Sequence, residues 1–538
     1  MTETDFIIVG AGSAGCAIAD KLSRSGKFRV AVLEAGGSDF RFFVKMPLGY
    51  GKTFYDPAVN WMYTTEPDEG LAGNRDYWPR GKLLGGSSSI NAMVWIHGSP
   101  HDFEDWKANG NPGWGWDEIS RAYREIEDFE GGGDEWRGSG GPVHVSRIEK
   151  SIHPVTRVFL EATRQAGLGE NDGFNGATQE GTGLYQLTTR NGKRHSAADA
   201  FLRPAMKRSN VSVTTRATVT RILFDGRKAI GVEYERNGRR EKLMARREVI
   251  LSGGSVNSPH LLQLSGVGDP AMLQNLGLET VIANSHVGRN MSDHQGINYN
   301  WKANRPTLNQ LLRPWWGKLW AGMHYLLLRD GPLSISLNQG GGFFKTDPSL
   351  RDVNMQLYFQ AFSTVLPKPG ERPILTPDPW PGFAIGLSNC RTLSRGSIEA
   401  VSPDPHAKPR IVANAFSHER DVSEMLAAVK FLRHIASQPA MRDLIVEEVL
   451  PGPSVRSDEE LILDLRKRSG TVYHPCGTCR MGNDPANNVV DSRLRVHGAT
   501  NLRVADASIF PNITTGNTNA AAIATGWHGA DFILEDNQ

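Results

Sequence analysis

Apolar residues in this chain gather in short runs, and the first run ends on glycines. Phe6-Ile7-Ile8-Val9 predicts a buried strand over residues 5–9. Gly10-Ala11-Gly12-Ser13-Ala14-Gly15 follows at once, then a helix over Ala14 to Leu22 with Cys16, Ala17, Ile18, Ala19 and Leu22 free to face a sheet. A second apolar strand, Arg29-Val30-Ala31-Val32-Leu33, ends at Glu34. Together these form one β-α-β unit.

Further along, residues 211–213, 218–223 and 248–251 predict strands, with Asp225-Gly226 and Asn237-Gly238 as hairpin turns. Ser258 suits an N-cap and Pro259 a first helical position, so a short helix is expected over Pro259 to Leu264, closed by Gly266. Residues 352–362 and 383–388 predict strands of another sheet, and 419–436 show helical spacing. Residues 501–506 predict a strand ending at Asp506. Pro511 breaks the chain, and an Ala-rich helix over Ala520 to Leu534 follows, with Asn519 or Thr518 as its cap. Trp315, Trp316 and Trp320 sit among leucines with Arg313 and Lys318. That basic, Trp-rich segment fits three readings: contact with a membrane surface, a substrate entrance, or an ordinary packed amphipathic helix. Packing is the preferred one.

At 538 residues the chain is too long for one ordinary core. The expected class is α/β plus α+β, in two domains. A Rossmann-like nucleotide-binding domain, discontinuous and drawn from both termini, takes residues 1–145, 195–300 and 465–538. A sheet-plus-helices substrate-binding domain takes 146–194 and 301–464. A formal net charge of +2 leaves no basic excess for a polyanion, so nucleic acid is not expected as a partner. The start, Met1-Thr2-Glu3-Thr4-Asp5, has no secretory pattern, and no apolar run approaches the roughly 20 residues that span a bilayer. Four cysteines are too few for a disulfide framework, so a reduced, cytoplasmic protein is expected. Cys476 and Cys479 form a C-x-x-C without a second ligand pair. A tight Gly-containing turn is the preferred reading, and no metal is assigned.

The glycines point to a nucleotide. Gly10 permits the turn off the strand, Gly12 lets backbone approach a pyrophosphate, and Gly15 lets the helix press on the sheet. The helix start offers N–H groups and a positive dipole end to phosphates. Glu34 is placed to accept from an adenosine ribose and would repel a phosphate there, which disfavours NADP. The motif alone does not separate FAD from NAD. Residues 80–98 hold Gly85-Gly86-Ser87-Ser88-Ser89, a loop able to lie against a flat ligand. The N-terminal end of the last helix is expected near Asn517. Aimed at a flavin pyrimidine ring, it would stabilise the negative charge of the reduced ring.

These residues resemble the glucose-methanol-choline (GMC) oxidoreductases, FAD-dependent enzymes that oxidise alcohols, and most closely the bacterial choline dehydrogenase-like branch. The resemblance spans nearly the whole chain. It rests on the first glycines with Glu34-Ala35-Gly36, on Gly81 to Asn91, on Gly254 to Gly268, and on His474-Pro475-Cys476-Gly477-Thr478 with Asp506-Ala507-Ser508 and Asn517-Thr518-Asn519. It implies His474 as the catalytic base and Asn517 as the second catalytic residue. It implies cofactor contacts at Gly10, Gly12, Ser13, Ala14, Gly15, Glu34, Ala35, Gly86, Ser87, Asn91, Ala92, Met93, Val94, Val219, Asp506, Ala507, Asn517 and Thr518. Some members attach FAD through a histidine just before the Asn91 position. Here that residue is Ile90, so non-covalent FAD is expected, and His97 is read as a polar loop residue.

The expected reaction is oxidation of an alcohol, preferably primary, to an aldehyde or ketone. His474 takes the hydroxyl proton while flavin N5 takes hydride, and Asn517 holds the substrate oxygen. Oxygen, or a quinone or artificial acceptor, reoxidises the flavin. Trp61 and Tyr473 are the candidate substrate contacts. Choline would need an aromatic cage and an acid for its cation. Two alternatives stay open: a hydroxynitrile lyase of the same family with a redox-inactive flavin, and an NAD dehydrogenase based on the first motif alone.

Overall fold

The structure is a computed structural model that describes residues 2–365 and 376–538. Among these residues, two seven-stranded sheets carry the fold. In the first, Val211–Thr215, Val30–Glu34, Thr2–Val9 and Arg239–Leu251 lie side by side and parallel. Phe6, Ile7, Ile8 and Val32 are fully buried, because helices cover a parallel sheet on both faces. Arg239–Leu251 is the hub. Its first half pairs antiparallel with Lys228–Arg236, which returns from Thr218–Asp225. Its last three residues take Leu502–Val504 as a parallel partner, so a very late segment joins the N-terminal sheet.

Both predicted turns form. Asn237 and Gly238 each have a positive φ, 51° and 73°, as a two-residue hairpin turn of this twist requires. The other turn is offset by one residue: Asp225 pairs with Lys228, so its tip is Gly226-Arg227.

The two chain ends meet. The first helix, Ser13–Ser23, packs against the last, Asn519–Asp536. Their backbones touch at Gly526, where a Cβ would lie 2.4 Å from the Ala14 carbonyl oxygen. Ser13 Oγ donates to Asn519 Oδ1 at 2.7 Å, and Lys21 pairs with Asp531 at 2.6 Å. Thr518 occupies the N-cap position of the last helix, yet neither Thr518 nor Asn519 caps it through a side chain, contrary to expectation.

The second sheet is antiparallel and runs Ile445–Leu450, Gln295–Ala303, Gly382–Asn389, Met355–Gln360, Gly340–Phe344, Gly181–Leu184. Helix Glu419–Ala436 covers it with Met425, Val429, Leu432 and Ile435 buried at helical spacing. The expected boundary at residue 300 falls inside Gln295–Ala303. Gly470–Thr471, beyond the expected boundary at 465, also pairs with that strand. Each sheet has its own apolar core.

Two local expectations need correction. The helix expected from Pro259 begins earlier, at Gly254, and holds Pro259 in its interior. Proline has no N–H for the Ser255 carbonyl one turn back, which normally destabilises a helix. Here Thr478 Oγ1 donates to that carbonyl instead, at 2.7 Å. The side chain of Ser258 is spent elsewhere, on Asp506. The Trp-rich segment does form a helix, Trp315–Leu328, but Trp315, Trp316 and Trp320 point to solvent rather than pack. No helix among the described residues is long and apolar enough to cross a membrane.

Candidate active site

A single cavity of about 1370 Å³ runs from the glycine loop to His474 and Asn517. Every residue named above as a cofactor contact lines it except Gly15, and Trp61 and Tyr473 line it too. Gly15 works from behind: a Cβ there would lie 2.1 Å from the Gly10 carbonyl oxygen, so the helix sits tight on the loop. Gly10 itself has φ +104°, a conformation open to glycine.

The donor set at the first end suits an anion. Helix Ser13–Ser23 has Gly12 at its N-cap, no side-chain cap and no acid in its first turn, and Gly12, Ser13 and Ala14 face the cavity. Its free N–H groups therefore point into the space where a pyrophosphate would lie. Gly86, φ +52°, closes the other side, with an added Cβ only 2.8 Å from Gly12 Cα. Glu34 ends the neighbouring strand. Its carboxylate accepts from Ala11 N at 2.9 Å and Gly36 N at 2.7 Å. Burial pushes its pKa up to about 7 against those two bonds. One lone pair on each oxygen remains for a ribose hydroxyl. Val219 lies in the same wall. Asp506 accepts from Gly254 N and Ser258 Oγ, which ties the late strand to helix Gly254–Leu264. The uncapped start of the last helix opens on the cavity beside Asn517. A long ligand with a diphosphate centre and a flat end fits this outline.

Ile90 is buried at the wall with Val44, Val59 and Leu83 and offers no nucleophile. His97 lies in a loop, as expected, but that loop is in the interior. The His97 ring is fully buried, stacked on Tyr123 at 4.1 Å and bonded to Trp95, and it does not line the cavity. Cys476 and Cys479 are buried thiols in a turn where Gly477 has φ +81°.

Around His474 the structure adds residues that the motifs did not single out. His474 Nδ1 lies 3.0 Å from His294 Nδ1, and Asn517 Nδ2 lies 3.2 Å from His474 Nε2. His294 Nε2 lies 3.0 Å from the Cys390 carbonyl. A carbonyl only accepts, so His294 carries its proton on Nε2. Its Nδ1 is then an acceptor, and His474 must donate from Nδ1. That leaves His474 Nε2 unprotonated, an acceptor for the Asn517 amide N–H. The amide is fixed from its other side, because Gln356 Nε2 donates to Asn517 Oδ1 at 3.1 Å. Gln356 is fixed in turn by Tyr358, whose hydroxyl donates to Gln356 Oε1 at 2.6 Å. Each member of this chain donates in the same direction.

Strand pairing puts the chain in place. Gln295 opposes Thr471, which brings His294 beside the 472–476 segment. Gln356 opposes Ser388 in the middle of the second sheet. The backbone is held as well: His474 N donates to Asp293 at 2.8 Å, and the Tyr473 carbonyl, at φ +72°, accepts from Arg80 at 2.6 Å. Burial, with His294 and Arg80 nearby, holds the His474 pKa well below the ordinary imidazole value. Burial likewise lowers His294 to about 4 and raises Asp293 to about 7. The site therefore presents a neutral imidazole at the cavity wall, its Nε2 lone pair held by the Asn517 amide.

The chain matches two family models described as GMC oxidoreductase, over residues 4–296 and 392–526. It is 40% identical to an oxygen-dependent choline dehydrogenase of Rhizobium johnstonii over 533 residues, 99% of this chain and 96% of the relative. It is 39% identical to an alcohol dehydrogenase [acceptor] of Pseudomonas putida, covering 98% and 95%. Among solved structures, a formate oxidase of Aspergillus oryzae RIB40, studied for modification of its FAD, superposes with a TM-score of 0.91 at 25% identity, covering 99% of this chain and 98% of that one.

Proposed function

Because this chain belongs to the GMC oxidoreductase family, we propose that it oxidises an uncharged primary alcohol with His474 as the base. It is an FAD-dependent enzyme of the alcohol dehydrogenase and oxidase type. The observation that carries the mechanism is the proton-accepting Nε2 of neutral His474 at the cavity wall, held by the Asn517 amide. FAD, when bound, supplies the acceptor for the hydrogen and electron pair that leave the alcohol carbon. Gly10, Gly12, Ser13, Gly86 and Glu34 would hold its nucleotide end, and Asp506, Ala507 and Thr518 its other portions. Ile90 supports non-covalent attachment. Four unpaired, buried cysteines support a reduced, cytoplasmic setting.

The protein's own part is proton chemistry and orientation. The substrate hydroxyl donates to His474 Nε2 in place of Asn517. The Asn517 amide N–H then turns to the substrate oxygen and stabilises the alkoxide character that grows there. Gln356 keeps that amide the right way round. His294 keeps His474 in the tautomer that can accept, so it is a positioning residue. His294→Leu removes the acceptor for His474 Nδ1–H. We expect kcat to fall about tenfold, the worth of one hydrogen bond, with KM little changed. The acid limb of the pH profile should also move, and His294→Asn, which keeps an acceptor, should recover part of the rate. An unaltered pH profile and kcat in His294→Leu would remove His294 from this role.

The cavity lining supports an uncharged substrate. Among the described residues its carboxylates, Glu34, Asp76 and Asp506, are already engaged by protein N–H donors, whereas Lys82, Lys408, Lys467 and Arg468 also line it. The Trp61 face already carries the Lys82 ammonium, 4.4 Å from its ring centre. We expect 3,3-dimethyl-1-butanol, the uncharged counterpart of choline, to show the higher kcat/KM, assayed with oxygen and then with an artificial acceptor. A clear preference for choline would overturn this reading of the lining. Anaerobic mixing with the favoured alcohol should bleach the flavin. Cyanide release from a hydroxynitrile without bleaching would point to the lyase chemistry instead.

A further inference from the structure

Helix Trp315–Leu328 is built the wrong way round for a helix at a water surface. Its buried positions are Gly317, Ala321 and Tyr325, one turn apart, and two of the three are small. Its large apolar side chains, among them Trp315, Trp316, Leu319, Trp320 and Leu327, face outward, with Trp315 at 75% and Leu327 at 82% exposure. The helix cannot roll to hide them. Gly317 sits so close to the preceding turn that a Cβ would lie 2.1 Å from the Leu311 carbonyl oxygen. The apolar face continues onto a neighbouring loop: the Phe42 ring packs against Tyr325 at 6.4 Å, and Phe40 and Phe43 are exposed beside it. Monomeric proteins rarely leave so continuous an apolar patch in water.

We propose that this face rests on the surface of an anionic phospholipid bilayer. The charge pattern selects that occupant. From Arg313 to Arg329 the sequence holds Arg313, Lys318, His324 and Arg329 and no acid, and the next residue, Asp330, pairs with His324. Lys318 is exposed, and among the described residues it has no carboxylate within ion-pair distance. Phe40 is bordered by Lys45 and Arg203, whose charges are paired with Asp39 and Asp199, so among the described residues Lys318 is the cation of this face left for lipid phosphate. Exposed tryptophans suit the headgroup level, where an apolar ring and a polar N–H both find partners, and basic residues at the rim meet lipid phosphates. A second copy of the chain fits less well. In two-fold self-pairing the one acid at the end of this helix, Asp330, is already paired with His324, which leaves Lys318 buried without a carboxylate of its own. Docking also has a direct consequence for access. The chain leaves this helix through Pro332–Ser334 and returns as Leu337 in the cavity wall, beside Tyr50.

The test is flotation of the holoprotein with vesicles, which needs no turnover. The protein should float with phosphatidylcholine–phosphatidylglycerol vesicles, float much less with phosphatidylcholine alone, and lose binding as salt rises. Its tryptophan emission should shift to the blue on binding. Trp316→Glu with Leu327→Glu should weaken vesicle binding about tenfold or more, while oxidation of a soluble alcohol stays unchanged. Because the variant face could also disturb folding, quenching of wild-type tryptophan emission by brominated lipid provides a second reading, and it should be strong. Failure to float with either vesicle, or a concentration-dependent dimer that the double variant splits, would overturn the proposal.

Discussion

His474→Ala should slow anaerobic reduction of the bound flavin by alcohol by about 10²–10⁴-fold, the range for a positioned general base. The variant should stay folded and yellow, because the elements expected to hold the nucleotide are the glycine loop, Gly86 and Glu34, not the 472–476 turn. Stopped-flow mixing reads the step directly. Reduction at the wild-type rate would end the case for His474 as base. The same residue sets the pH profile. Its folded pKa is lowered, so it stays neutral and able to accept a proton as pH falls through the ordinary imidazole value near 6.5. On the acid side, kcat/KM should therefore hold steady down to about pH 6.5 and decline only below it. A decline that begins well above that value would contradict the lowered pKa.

Gly86→Val should yield protein with little or no bound flavin. The backbone there sits at φ +52°, and an added Cβ would lie 2.8 Å from Gly12 Cα, so the two loops must separate. A β-branched residue also resists a left-handed backbone, which costs about 1–2 kcal/mol even for less crowded side chains. The measurement is the ratio of visible flavin absorbance to protein absorbance after purification. Ser87→Ala, in the same loop but with normal backbone demands, should keep most of its flavin. Wild-type protein should release its flavin into solution when denatured, since Ile90 offers no bond. Full flavin content in Gly86→Val would show that the cradle lies elsewhere.

Much of the frame is legible in the sequence because local pattern decides it. Apolar runs buried on both faces gave the first two strands, and helical spacing gave Glu419–Ala436 to the residue. Pro259 misled because its penalty is relieved by Thr478, more than two hundred residues away. The Trp-rich helix misled because periodicity finds an apolar stripe without saying whether it faces in or out. Small residues on the opposite stripe, Gly317 and Ala321, were the available signal. His294 and Gln356 have no local signature at all. Their role comes from the register of antiparallel strands, which sets a Cys390 carbonyl and a Tyr358 hydroxyl at the two ends of one hydrogen-bonded row. His474 and Asn517 were readable only through the family resemblance, since an isolated histidine before a proline says little.

The contact between the first and last helices has a consequence for biosynthesis. The glycine loop leaves the ribosome well before its neighbours, with Ser13 preceding Asn519 by 506 residues. A nascent chain still missing its tail has half a socket, and pairing ends this distant in sequence is slow. Flavin loading should therefore wait until the helix that carries Asn519 and Gly526 has been made, and a strain starved of riboflavin should accumulate apoprotein that already contains that helix.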